Sequence, residues 1–210
     1  MYHKGIMDLD PNLGLLLVKA FIILFVVMDP PASIPVFLAV TGGMRKEERM
    51  LELNRAVIVA TILLLLFAFL GKLLLELLGI SLNSFMIAGG ILLLLISFDL
   101  LQGGHTYGVE GESGAGVGAV PIGTPLLAGP GAITAVMVII QSSGVFVVLF
   151  GIFSAIVATR LVLGQSDRLY DIMGKVGTEV LSRVIGIIVA AIAIQFIGTG
   201  IIGMYQLATV

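Results

Sequence analysis

The sequence predicts an all-α, polytopic membrane protein: six transmembrane helices, two inverted three-helix repeats, and discontinuous helices 1 and 4. Three observations carry this expectation. Of 210 residues, 59% are hydrophobic and only 11% are charged, with a mean hydropathy of +1.17. A soluble domain of this size could not hide so much apolar surface. The apolar residues fall into six runs, three on each side of a glycine-rich stretch. Finally, the first run of each set is interrupted by residues that break helices. The interruptions are Met28-Asp29-Pro30-Pro31-Ala32-Ser33-Ile34-Pro35-Val36-Phe37 and Leu127-Ala128-Gly129-Pro130-Gly131-Ala132-Ile133-Thr134. Proline lacks an N–H and clashes with the preceding turn, and glycine weakens a helix. Broken helices survive at membrane depth only where the freed backbone groups are buried in protein or line a cavity. One break in each half of a chain is the usual pointer to a transporter's binding site.

Composition also narrows the chemistry. Cysteine is absent, which removes disulfides, thiolate metal sites and cysteine nucleophiles. His3 and His105 lie outside the apolar runs, so a histidine metal site or general base is not expected. There is no HExxH, P-loop or GxSxG pattern, and no pair of carboxylates within one apolar run. The expectation is a protein that is not an enzyme, uses no cofactor or metal, binds no nucleic acid and works in the lipid bilayer.

In chain order, residues 1–12 carry Lys4 as their one firm positive charge beside Asp8 and Asp10. The first apolar run therefore reads as a retained span and not a cleavable signal. Leu13 to Met28 and Ala32 to Val40 form span 1 in two pieces, with Lys19 near enough to one end to snorkel. As one straight helix, residues 13–41 would reach ~43 Å, against a hydrocarbon core of ~30 Å. Arg45-Lys46-Glu47-Glu48-Arg49 reads as a charged turn, and span 2 runs from Ala56 towards Leu78. Lys72 and Glu76 near its far end are spaced as a surface i,i+4 pair. Gly79-Ile80-Ser81 is a tight connection into span 3, about Asn83 to Leu101, whose Ala88-Gly89-Gly90 patch admits a close neighbour.

Residues 103–118 form a glycine-rich linker without Lys or Arg. It divides the chain into a first three-span repeat, 1–102, and a second, 119–210. Span 4 covers about 117–140 with its break at 128–132. Gln141 to Gly144 is a turn, Val145 to Leu163 is span 5, residues 164–183 read as a polar loop, and Val184 to Met204 is span 6. A shift of 100 residues lays Pro30 on Pro130 and Ala32 on Ala132, and a shift of 98 lays Ser97 on Gln195 and Phe98 on Phe196. Three spans per repeat force the halves into opposite orientations. Connections after spans 1, 3 and 5 hold eight basic residues against three on the other side. The positive-inside rule then puts both termini outside the cell membrane.

Asp29 is the one carboxylate in the middle of an apolar run. Its insertion costs ~2.5–3.5 kcal/mol on translocon scales, so such residues default to a functional role. Asp at N-cap with Pro at N1 is also an ordinary helix start, and at this point capping alone and capping with function both stand. Gly129 and Pro130 offer the same start to the second half-helix. With inverted halves, two half-helix N-termini approach each other near the midplane, where they suit a carboxylate. The carboxylate of Asp29 would meet an ammonium. A small zwitterion matches both, and Asp29 is the candidate for proton coupling. The substrate-binding candidates are Asp29, Pro30, Pro31, Ala32 and Ser33 at the first break, and Ala128, Gly129, Pro130, Gly131 and Ala132 at the second. Thr124, Ser97 and Gln195 join them as polar groups able to line the same cavity, beside Thr134.

The Asp29-Pro30 break running into Ile34-Pro35-Val36-Phe37-Leu38 resembles the MarC family. So do Ala88-Gly89-Gly90-Ile91-Leu92-Leu93 and Pro125-Leu126-Leu127-Ala128-Gly129-Pro130-Gly131-Ala132-Ile133-Thr134. The likeness extends to the family's archaeal branch, the small neutral amino acid transporter SnatA, and covers essentially the whole chain. It implies a six-span protein of the lysine-exporter-like superfamily. It further implies transport of glycine, alanine and similar neutral amino acids, driven by a proton gradient. After Asp29-Pro30 this chain has Pro31-Ala32-Ser33, where family members often carry glycine and asparagine or threonine. A small-solute channel, an exporter of another metabolite, a membrane-embedded enzyme and a structural partner of a larger complex are the rival expectations. The sequence leaves a homo-oligomer open.

Overall fold

The computed structural model describes residues 12–102 and 127–208. The linker expected at 103–118, and Thr124 with the first part of the fourth span, lie outside the described residues. The helices are α1 (Leu13–Met28), α2 (Pro30–Thr41), α3 (Lys46–Leu77), α4 (Leu82–Leu101), α5 (Pro130–Ser143), α6 (Val145–Gly164) and α7 (Ser166–Ala208). Five stretches are long and apolar enough to cross a membrane: Leu13–Thr41 taken across its break, Lys46–Leu77, Leu82–Leu101, Val145–Gly164 and Ser166–Gln206. The shorter α5 is the described part of the expected fourth span. The fold is all-α and polytopic.

The helix α5 is buried or half-buried on every side from Gly131 to Ile140, whereas the longer helices bury a stripe at helical spacing. On α3 it is Leu53, Ala56, Val57, Ala60, Leu64, Ala68, Gly71 and Leu75. Opposite it, Ile58, Ile62, Leu66, Phe69 and Leu73 are exposed, as a lipid-facing surface must be. Lipid tails are as apolar as leucine, so association here relies on close packing over small residues. The most extensive helix pair is α4 with α7. Gly90 of α4 meets Ala193 and Ile197, Gly186 of α7 meets Ser97 and Leu100, and Gly200 and Gly203 meet Asn83. Low numbers on one helix face high numbers on the other, so the pair is antiparallel.

The direction of the half-helices follows from their neighbours. Gly42, Gly43, Met44 and Arg45 lead from Thr41 straight to the start of α3, so α2 ends where α3 begins. Arg49, near that start, pairs with Asp167 at the start of α7, and Arg160 near the end of α6 bonds Asn54. This is the basic end of the molecule. The helix α5 runs the other way. Its Gly131 touches Leu93, its Thr134 touches Gly89, and its Met137 touches Gly71 near the far end of α3. Thus α5 starts about halfway along α4, and α2 and α5 run to opposite ends of the molecule.

Three boundaries differ from the sequence expectation. Lys46 already belongs to α3, so the charged turn is shorter than 45–49. Arg45 caps the helix, and Glu48 reaches back to accept from its N–H at 3.0 Å. At 32 residues, α3 is about 48 Å long and outreaches the ~30 Å hydrocarbon core. Its charged first turns therefore stand outside that core. Gln141 to Ser143 belong to α5, leaving Gly144 alone between α5 and α6.

The third difference is the largest: residues 164–183, expected as a polar loop, are helical almost throughout. Lys175, Glu179 and Arg183 recur every fourth residue, a spacing that supports a helix, while Thr178 and Ile185 face inwards. Polarity there marks a helix outside the hydrocarbon, not an irregular chain. Gly174 interrupts it at φ 63°, ψ −175°, a region essentially confined to glycine.

The Gly79 connection does match. With φ 67°, Gly79 lets Ile80 N–H donate to Leu75 C=O at 2.9 Å and its own N–H to Glu76 C=O at 3.1 Å. This is a Schellman close, and Ser81 then caps α4 through Ser84 N–H. Lys72 and Glu76 pair at 3.8 Å with both side chains well exposed. Lys72→Ala should therefore shift the melting temperature in detergent by no more than about 2 °C. A larger loss by thermal denaturation would mean that this pair does more than decorate the surface.

Candidate functional site

Among the described residues, Asp29 is the one non-glycine with positive φ, at φ 43° and ψ 60°. It serves both neighbouring helices. Its N–H donates to Phe25 C=O at 3.1 Å, ending α1. Its Oδ1 accepts from Ala32 N–H at 3.3 Å, starting α2, with Pro30 at the first helical position. Its C=O accepts from Ser33 N–H at 3.2 Å and from Ser33 Oγ at 3.0 Å. The break is thus one residue wide, and Pro30, Pro31, Ala32 and Ser33 form the first turn of α2.

Capping uses only half of the carboxylate. The residue is 8% exposed, and Oδ2 is buried without a hydrogen-bond partner. Burying an oxygen unpaired costs about 1–3 kcal/mol, more when charged. Capping does not need this second buried oxygen, since the single hydroxyl of a serine would cap as well.

The second break has the same plan with no side chain. Gly129 is the N-cap of α5 at φ −69°, ψ 172°, and Pro130 occupies the first turn. Ile133 N–H donates to Gly129 C=O at 3.2 Å, and Thr134 Oγ1 donates to Pro130 C=O at 2.9 Å. Gly129 has no side chain with which to cap this helix, and the N–H groups of the buried residues Gly131 and Ala132 have no intrahelical acceptor. The two breaks meet: a Cβ built on Gly131 would lie 3.0 Å from Val27 Cγ1, two residues before Asp29. Leu127 and Ala128 are buried in the same core cluster as Met28 and Ile34.

The remaining candidates divide. Ser97 is fully buried, its Oγ donating to Leu94 C=O at 2.7 Å. Gln195, its expected counterpart, is exposed on the outer face of α7, where Nε2 donates to Thr199 Oγ1 at 3.2 Å. The two do not line one cavity. Phe98 and Phe196 part in the same way, exposed and buried respectively. The structure adds Thr159 of α6, a buried hydroxyl whose Oγ1 has no partner. A threonine within an apolar run gives no sequence signal of that kind, because its local bond to the preceding turn is the usual outcome.

Residues 15–205 match the MarC family of integral membrane proteins. The chain belongs to that family. Its relatives include a UPF0056 membrane protein of Methanocaldococcus jannaschii, 39% identical over 196 residues, covering 89% of this chain and 96% of the relative. A UPF0056 membrane protein of Escherichia coli is 34% identical over 198 residues, covering 89% and 92%. One of Bacillus subtilis is 31% identical over 205 residues, covering 92% and 97%. No solved structure matches. The MarC match takes in both breaks and reaches every described helix.

Proposed function

We propose that this MarC-family protein is a secondary active transporter of small neutral amino acids such as glycine and alanine, coupled to protons and working by alternating access. The observation that carries the proposal is the pairing of two unused valences at the meeting breaks. The N-terminus of α5, whose N-cap Gly129 has no side chain, offers N–H groups and partial positive charge to a substrate carboxylate. The unpartnered Oδ2 of Asp29 offers a charge-assisted bond to its ammonium. Val27 and Leu93 press against Gly131, which favours a substrate with little side chain. Before substrate arrives, a proton on Asp29 would relieve the cost of a buried charge in an apolar surround. Coupling follows if that proton leaves when the ammonium binds.

Opposed half-helices support two inverted halves. The packing is consistent with them: α2 lies on α7 as α5 lies on α4, and α2 on α6 as α5 on α3. The basic end, by the positive-inside rule, would face the cytoplasm, with both termini outside the cell membrane. The motif resemblance to the SnatA branch is a further ground for this reading.

The test is uptake of labelled glycine and alanine into proteoliposomes, with and without an imposed pH gradient. Saturable uptake that rises with the gradient is expected. Exchange indifferent to the gradient would keep the carrier and remove the proton. Flux without saturation or counterflow would replace the carrier with a channel, and no flux of either amino acid would point to an exporter of another metabolite.

A further inference from the structure

Two polar links at the basic end join the halves of the molecule. Arg49 Nη1 of α3 pairs with Asp167 Oδ1 of α7 at 2.5 Å. Arg160 Nε of α6 donates to Asn54 Oδ1 of α3 at 2.9 Å, and its Nη2 lies 3.9 Å from Met50 Sδ. Each link takes one residue from the first three-helix half and one from the second. Beneath them Phe37, Leu53 and Leu163 are fully buried, and they line a cavity of about 20 Å³ together with Lys46, Arg49 and Ser166. That is room for about one water molecule. Phe37 stands on α2 two turns beyond Asp29, so the cavity lies between the breaks and the basic end.

We propose that Arg49–Asp167 and Arg160–Asn54 form a clasp that closes the path from the breaks to the basic end, and that it parts when the site opens there. This rests on the alternating-access function proposed above. A bond that must break in each cycle should be strong enough to bias the closed state and still release into water. The Asp167 side chain is 63% exposed and that of Arg49 19%, so one partner can rehydrate as soon as the helices separate. The pair is also incompletely satisfied. Arg49 Nε and Glu52 Oε2 are each buried without a partner, three residues apart on α3. Glu52 Oε1 is held by Arg55 at 2.7 Å, and its free Oε2 gives Arg49 a second carboxylate oxygen within one turn when Asp167 withdraws. The apolar layer of Phe37, Leu53 and Leu163 leaves room for about one water, too little for a continuous water path while the clasp holds.

The absence of cysteine allows a direct test. Thr41→Cys places a near-isosteric thiol on the last turn of α2, at a position buried in the closed state. A charged, membrane-impermeant thiol reagent is applied to proteoliposomes from the face that carries Arg45, and the labelling rate is measured. Asp167→Asn, and separately Asn54→Ala, should raise that rate about fivefold, the population shift expected on losing one partly exposed polar link. The swap Arg49→Asp with Asp167→Arg should return it towards the starting value. Asp167→Asn keeps the shape of a largely exposed side chain, and a single symmetric peak in size-exclusion chromatography shows that the fold persists. An unchanged rate in the Asp167→Asn, Asn54→Ala double variant would overturn the clasp. So would an equal acceleration from the opposite face, which would mean general loosening. Labelling requires no substrate, so a protein that moved neither glycine nor alanine would still report whether these links control access.

Discussion

Asp29→Asn should leave the protein folded and reduce kcat/KM for the proposed amino acid uptake by about 10- to 100-fold, the range for losing one hydrogen bond to a charged partner. It should also remove the response to a pH gradient. Asparagine tolerates the left-handed backbone, and its Oδ1 can still accept from Ala32 N–H, which at 3.3 Å is the bond that starts α2. The negative charge on the unpartnered second oxygen is what disappears. The comparison variant Asp29→Ala loses the cap, at about 1 kcal/mol, and places a Cβ residue without local hydrogen bonding in the left-handed region, at about 1–2 kcal/mol. It should therefore lower the melting temperature as well as uptake. The pair separates chemistry from folding. Normal uptake by Asp29→Asn, with its pH response intact, would relegate Asp29 to a helix cap.

The second large effect is steric. At Gly90, an added Cβ would lie 2.8 Å from the Ala193 carbonyl oxygen and 3.2 Å from Ile197 N. Both neighbours are backbone, so no rotamer change relieves the clash, and α4 and α7 must move apart along the most extensive interface of the fold. Gly90→Val should cost at least about 1–3 kcal/mol, seen as a lower melting temperature in detergent or as loss of monodisperse protein. Gly198 is the control. It lies within α7, and a Cβ there meets nothing within 4 Å, so Gly198→Ala should stabilise by about 1 kcal/mol through helix propensity. Equal tolerance at both positions would mean that α4 and α7 do not pack as closely as described.

Much of this architecture is legible in the amino-acid sequence. Asp29 and Gly129 each precede a half-helix at the position that the neighbouring proline marks, because proline and glycine act through their own backbone. The Gly79 close and the Lys72–Glu76 pair are local for the same reason. The helix over 166–183 escapes a reading by polarity, because charge reports depth relative to the hydrocarbon and not backbone conformation. Gln195 falls on the wrong face for a subtler cause. Successive helical residues differ by about 100° in direction, so an imperfect repeat alignment cannot choose between the inner and outer face. The clasp is invisible in the sequence because Arg49 and Asp167 are 118 residues apart. Only the fold brings the start of α3 to the start of α7.

Gly144 is the sole residue between α5 and α6, and one residue reaches at most about 3.6 Å. The two helices are thus pinned at one end like the arms of a pair of compasses. Neither can slide lengthwise past the other, so whatever shift a bound molecule imposes on the front of α5 must appear as a swing about that pin. The distant arm is α6, which carries Arg160 near its far tip. A swing of α5 at mid-depth thus turns about the same point as α6, whose far tip lies at the other membrane face.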